Sequence, residues 1–432
     1  MKTQTDYMRW VALSAFMLAS SLSFLDRQIL AALAVTVQGE FQLSAQQYGY
    51  LLSIFSITYA LASPLAGWWI DRVGLDKGIT VSIGLWSLAG LATGFVSGFP
   101  GLMACRAALG FAESGGIPAS GKAVAVYLRP QERALGSAFG QIGISIGMVA
   151  APVLATGIAV RYGWRAAFIV AGLLGFLWIP MWWFVSRKIP ANPVEPAAKG
   201  EGLANMLQDP RLLGLVAANI LGMTTYSLWM NWTTVFLVRT QGLTQQEANL
   251  RFAWIPPLFA ALGGLAGGAI SLRFARGAPA RKGQSQPSMH PSRRLPSGLD
   301  ELPFAGGVSE AQRDLPAARR KAALIAAVAL LATAAAPHLP TTALATAVIC
   351  WSFFWSVAFS VNLYALPLDY FGASRAASGI ACLTFAYGLM QTVLSPAIGG
   401  MIDHYGFAPV CALVSALPLC AWATLQWTGR PA

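Results

Sequence analysis

The chain has 432 residues, 56% of them apolar and 11% charged, with a formal net charge of +12. An ordinary soluble domain carries about 25% charged residues, so there is too little polar surface here to coat the three or so soluble cores that the length would suggest. A soluble enzyme is excluded and a bilayer must cover the remainder; the basic excess would suit nucleic acid in a soluble protein, but its placement excludes that partner.

A membrane helix needs about 20 apolar residues. Hydropathy predicts twelve such spans, near residues 10–36, 47–70, 79–96, 101–127, 134–160, 164–185, 212–237, 252–272, 322–336, 341–366, 377–401 and 409–427. With the N-terminus inside, 22 of the 29 basic residues fall in cytoplasmic segments, four outside and three within spans. This is the positive-inside asymmetry of a polytopic all-α membrane protein with both termini in the cytoplasm. The apolar run after Trp10 is long and continues through Asp26-Arg27 without a cleavage site, so it reads as the first span rather than a signal peptide.

That first span carries Asp26 and Arg27 well inside the apolar run. An ionised residue at the centre of a bilayer helix costs roughly 2.5 to 3.5 kcal/mol even on the mildest scale, so two of them need a reason. The second span ends in Ser63-Pro64-x-x-Gly67-x-x-Ile70-Asp71, followed by Arg72 and Gly74. Gly67 allows close helix approach there, and Asp71 and Arg72 can bond helix ends or a neighbouring helix. In the fourth span Arg106 precedes Glu113 by seven residues, which places both on one helical face about 10.5 Å apart in depth. Asp26, Arg27 and Arg106 then share the outer half of the bilayer, with Glu113 nearer the midplane. This four-charge group reads as a substrate and proton site. Guanidinium stays charged and offers forked donors to two carboxylate oxygens, so Arg27 and Arg106 are the expected anion ligands, and Asp26 and Glu113 the expected proton carriers.

Two enzyme-like strings fall inside spans. Gly116-x-x-x-x-Gly121-Lys122 lacks the closing Ser/Thr and the preceding strand of a phosphate loop. Gly143-x-Ser145-x-Gly147 belongs to a run, Gly136, Gly140, Gly143 and Gly147, at small-xxx-small packing spacing. Residues 186–211 are polar and separate six spans from six, which predicts an N-terminal bundle over 1–185, a cytoplasmic linker, and a C-terminal bundle over 212–432. Within the second, residues 277–321 hold six prolines, eight basic and four acidic residues, and are predicted to be a disordered cytoplasmic insert. Further pocket candidates are Tyr59 in span 2, Gln141 in span 5, Tyr226, Trp229 and Asn231 in span 7, Asn362 in span 10, and Thr384 and Tyr387 in span 11. Span 11 ends in Ser395-Pro396-x-x-Gly399-x-x-Ile402-Asp403, repeating the end of span 2 at identical spacing but in the opposite orientation, as inverted repeats require. The five cysteines are scattered and the three histidines isolated, so neither a disulfide framework nor a metal site is expected.

The string Gly67-Trp-Trp-Ile-Asp71-Arg72-Val-Gly74 resembles the signature loop of the major facilitator superfamily, although Leu75-Asp76 stand where further basic residues are usual. Leu25-Asp26-Arg27-Gln28, Arg106 through Glu113-Ser114-Gly115-Gly116 to Pro118, Pro130-x-Glu132-Arg133 and Tyr162-Gly163-Trp164-Arg165-x-x-Phe168 together resemble the anion:cation symporter family within it. In the second half Thr384 stands where similar carriers often place an asparagine. The resemblance implies a major facilitator fold of two six-helix bundles and a secondary active transporter. Such a carrier couples proton entry to uptake of a small organic anion, such as a hexuronate, galactonate or another carboxylate, without a cofactor and as a monomer in the inner membrane of a bacterium. Gly67, Asp71, Arg72 and Gly74 would form its gating loop. Two alternatives remain: an organic-anion exchanger without obligatory proton coupling, and a non-transporting membrane sensor on the same scaffold.

Overall fold

The computed structural model describes residues 2–129, 132–189, 208–276 and 315–428, and every regular element among them is helical. The elements are α1 (Lys2–Ala32), α2 (Ala34–Phe41), α3 (Ala45–Val73), α4 (Leu75–Thr93), α5 (Phe99–Glu113), α6 (Gly116–Tyr127), α7 (Arg133–Tyr162), α8 (Trp164–Ser186), α9 (Pro210–Gly222) and α10 (Thr224–Gln241). A π-helical turn (Ala248–Ala253), α11 (Pro256–Arg276), α12 (Leu315–Ala329) with a 3-10 continuation (Leu330–His338), α13 (Thr342–Tyr405) and α14 (Phe407–Thr428) follow.

Ten helical stretches among the described residues are long and apolar enough to cross a membrane. The predicted third and fourth spans are the two outside that number. The third, α4, has 19 residues and begins with Asp76 and Lys77 in its first turn, which shortens its apolar length. The fourth is broken into α5, of 15 residues, and α6, of 12. Pro118 explains the break, because its ring excludes the carbonyl four residues back, at Ser114, from a helical bond. Gly115 sits at the break, where a Cβ would overlap the Ser82 hydroxyl of α4.

Turns are tighter than the sequence suggests. The predicted loop between spans 2 and 3 is a single residue, Gly74, at φ +89°, which both ends α3 and starts α4. At +71° Gly372 likewise reverses α13 between two arms, 342–371 and 373–405. Both conformations lie in the region that side-chain-bearing residues rarely adopt. The predicted insert needs a correction at its end: α12 begins at Leu315 rather than 322, because Arg319 and Arg320 are tied to Asp369 (2.5 Å) and the Tyr370 hydroxyl (2.9 Å). Residues 277–314 of that insert, and 190–207 of the linker, lie outside the described residues.

Helix α1 packs along α7 and α8, α4 along α5 and α8, and α3 along α5; later in the chain α13 packs against α9, α11 and α12, and α14 against α9. The longest contact between early and late helices runs between α3 and α13. Gly49 of α3 meets the Ser395–Pro396 backbone, and Gly399 of α13 meets Ala45, so closely that a Cβ on either would overlap backbone. One end of the assembly is thereby tied shut. Both carboxylate oxygens of Asp403 accept the first backbone N–H groups of α3, from Ala45 and Gln46, at 2.9 Å. Arg239 lies 3.6 Å from the same carboxylate and donates to Gln38 (2.9 Å). In the π-turn, Asn249 is fully buried; its amide donates to the Ala32 carbonyl (2.7 Å) and to Thr156 (2.8 Å) and accepts from Thr234 (2.8 Å).

Candidate functional site

Below the tied end, α1 and α5 bring the four predicted charges together. Arg27 Nε donates to Glu113 Oε2 at 2.5 Å, and Ser23, one turn earlier on α1, donates to the same oxygen at 3.1 Å. The Glu113 side chain is fully shielded and that of Arg27 is 16% exposed. The Arg27 guanidinium also lies 4.6 to 5.0 Å from the ring centres of Tyr59, Phe24 and Phe55. Such cation–π contacts hold a charge without consuming its hydrogen-bond donors. The Arg106 guanidinium lies 4.8 Å from the centre of the same Phe55 ring. Gly110 makes this approach of α5 to α3 possible, since a Cβ there would overlap the Phe55 carbonyl. Asp26 is buried within electrostatic reach of the other three charges. Among the described residues, Asp26 Oδ2, Glu113 Oε1 and two Arg106 nitrogens have no protein hydrogen-bond partner. With two acids and two bases the cluster is formally neutral.

A cavity of about 310 Å³ opens beside this cluster, and Arg27, Glu113, Tyr59 and Gln141 line it together with Ser23 and Ser120. Four predicted site residues, from α1, α3, α5 and α7, therefore line one cavity. Asp26 and Arg106 do not reach it. Both are almost wholly buried, at 4% and 3% exposure, and sit behind the wall as counter-charges. The Arg106 guanidinium packs beside the Phe55 ring, where Gly110 brings α5 against α3.

Second-half candidates divide. Tyr226 and Tyr387 lie within electrostatic reach of Arg27. The Tyr226 hydroxyl meets Met148 Sδ at 3.9 Å, and Tyr387 accepts from Gln391 at 2.7 Å. Asn231 donates to the Ser227 carbonyl (3.0 Å) and Gln391 (3.4 Å), while its own carbonyl accepts from Tyr48. Thr384 spends its hydroxyl on Ile380 O (3.0 Å). Trp229 lines a separate void of about 20 Å³ with Gln28, Thr233 and Thr234, room for a single water. Asn362 is buried and donates to the Gly267 and Ala358 carbonyls, tying α11 to α13 where Gly267 lets the backbones touch. None of these six second-half candidates is among the residues that line the cavity of about 310 Å³.

The expected gating residues gather at the other end of α3. Lys122 of α6 donates to Asp71 (2.9 Å) and to the Ile70 carbonyl (3.0 Å), Arg72 lies over Trp68, and Gly67 faces Pro118. Ser23 and Gln391 had not been singled out in the sequence. Each stands one helical turn from a residue that had been, Arg27 and Tyr387 respectively, and that spacing was the available signal.

Residues 16–282 match the Major Facilitator Superfamily model. The chain belongs to that superfamily. It is an integral membrane protein of a class of transporters rather than an enzyme. Among curated relatives, the chain is 26% identical to the hexuronate transporter of Escherichia coli K12, over 98% of this chain and 94% of the relative. It is 27% identical to the galacturonate transporter of Dickeya chrysanthemi, over 62% and 82% respectively. In fold it matches the crystal structure of a bacterial homolog to the human lysosomal transporter Spinster, in an inward-facing and unoccupied conformation. That match has a TM-score of 0.70 and 21% identity, covering 98% of this chain and 95% of that one.

Proposed function

We propose that the protein is a proton-coupled symporter that takes up a small organic anion, specifically a sugar acid, across the inner membrane of a bacterium. In this reading twelve helices form two six-helix bundles, 1–185 and 212–432, with both termini cytoplasmic. The tied end, where Asp403 and Asn249 sit, is then the outer face, and the cavity is reached from the cytoplasm. The sugar-acid carriers among the curated relatives support the substrate class.

One observation carries the coupling: the Arg27–Glu113 pair lies on the cavity wall. A guanidinium engaged with a substrate carboxylate has fewer donors and less attraction left for Glu113. A buried carboxylate that loses its counter-charge is costly, so Glu113 takes up a proton as the anion binds, and each event favours the other. Asp26 and Arg106, behind the wall, set the field in which this exchange occurs. Arg27 is the anion ligand, and Tyr59 and Gln141 line the same cavity.

The test is Glu113→Gln, which fixes the neutral form. Reconstituted in proteoliposomes, it should retain substrate binding and counterflow exchange and lose accumulation driven by a proton gradient. Proton-dependent accumulation by Glu113→Gln would move the coupling role to Asp26. Wild-type exchange with no proton movement would make the protein an exchanger.

A further inference from the structure

The cavity wall offers one positive charge. Among the described residues that line it, Arg27 is the only cation, and an acid, Glu113, stands directly beside it. Arg106, 3% exposed beside the Phe55 ring, is not among the residues that line the cavity. The later spans add nothing basic at membrane depth, since no Lys, Arg or His occurs in 212–238, 252–272, 322–337, 339–374 or 376–403. The cavity's other polar lining side chains are neutral: Ser20, Ser23, Tyr59, Ser120 and Gln141. Hydroxyl and amide groups donate and accept alike, as sugar hydroxyls do, whereas a carboxylate only accepts.

We infer that the site selects sugar acids with a single carboxylate, seated on Arg27 with the hydroxylated end among the neutral polar groups of the same cavity, Ser23, Tyr59, Ser120 and Gln141, and discriminates against six-carbon dicarboxylates. This rests on the carrier reading above. A dicarboxylate of the same length would place its second charge among neutral groups, or beside Glu113, and would bear the penalty of an unpaired buried anion. The inference divides the relatives' own substrates, because their printed names include hexuronate and galactonate carriers as well as galactarate/D-glucarate carriers.

The experiment is titration calorimetry on the full-length protein in detergent, with D-galacturonate, D-galactonate and galactarate measured separately. All three have six carbons, and galactarate alone has two carboxylates. The expected result is binding of at least one monocarboxylate, with galactarate at least tenfold weaker. Galactarate binding within tenfold of the better monocarboxylate, or binding alone, overturns the inference and leaves the carrier reading standing. If none of the three binds, the sugar-acid reading itself fails, and the inference with it. A second arm uses Gln141→Lys, which adds a cation at an exposed position on the same wall. The affinity ratio of galactarate to galacturonate should rise at least tenfold, and an unchanged ratio with galacturonate still bound counts against the inference.

Discussion

At the scale of single residues, the two arginines sit differently although the sequence presents them alike: Arg27 is partly exposed and lines the cavity, whereas Arg106 is buried. Arg27 touches Glu113, three aromatic rings and the cavity, and its planar fork does what a compact ammonium cannot. Arg27→Lys should therefore weaken affinity for an acidic substrate at least tenfold, measured on protein that still inserts, whereas Arg106→Lys should lower thermal stability more than affinity. A second residue-scale case lies outside the apolar spans. Glu40, at the end of α2, accepts hydrogen bonds from the Trp164 indole and from Arg165 and pairs with Arg165. These hold its carboxyl below the usual range, Trp164 contributing most. A folded-state value below the unfolded one means stabilisation that is present above the ordinary carboxylate range and is lost as the pH falls through the folded value. Between about pH 7 and about pH 3 the thermal midpoint of the wild type should drop more than that of Glu40→Gln. Equal drops would show that the pair contributes nothing.

At the scale of elements, the repeated Ser-Pro-x-x-Gly-x-x-Ile-Asp string shows one device used twice with different partners. In α13 its acid, Asp403, caps the start of α3, where unpaired N–H groups and the helix dipole favour a negative charge. In α3 its acid, Asp71, is held instead by Lys122 of α6. The Asp403 cap, with Arg239 and Asn249, spans early and late helices, so these bonds must break before the tied end can open. Asp403→Asn keeps the size of the side chain but halves its acceptors and removes its charge, and should shift the equilibrium toward opening at that end. Spin labels at Arg161 and Arg251, both exposed at the tied end, should report a longer distance population in the variant than in the wild type. An unchanged distribution would mean that the cap is not limiting. The break between α5 and α6 is equally local in origin: Pro118 removes the bond to Ser114, and Glu113 ends α5 beside the cavity.

At the scale of the whole molecule, the charged start of α12 is part of the helical assembly through Arg319 and Asp369, while residues 277–314 carry the composition of a tether. Deleting 284–312 should leave substrate accumulation within about twofold of wild type, because changing the length of a connection alters closure entropy only slowly. Lost accumulation at normal membrane levels would assign that segment a function.

Composition and hydropathy by themselves determined the membrane setting, the helical class and most span positions, because about 20 apolar residues in a row have few other fates. The cost of burying Asp26, Arg27, Arg106 and Glu113 likewise sets these four charges apart in the sequence alone. Which of those charges lines the cavity was decided only in three dimensions. Helical spacing gives the side of a helix but not what packs there, so Arg106 and Arg27 became distinguishable only once Phe55 and Gly110 placed α3 against α5. Asn362 and Trp229 looked equally fit for a pocket as polar or aromatic residues in mid-span. Tertiary packing put one on a neighbouring backbone and the other against a separate void, while Ser23 and Gln391, unremarkable in sequence, were brought to bond Glu113 and Tyr387. The sequence carries the price of burying a charge, whereas the identity of its neighbour depends on contacts between helices far apart in the chain.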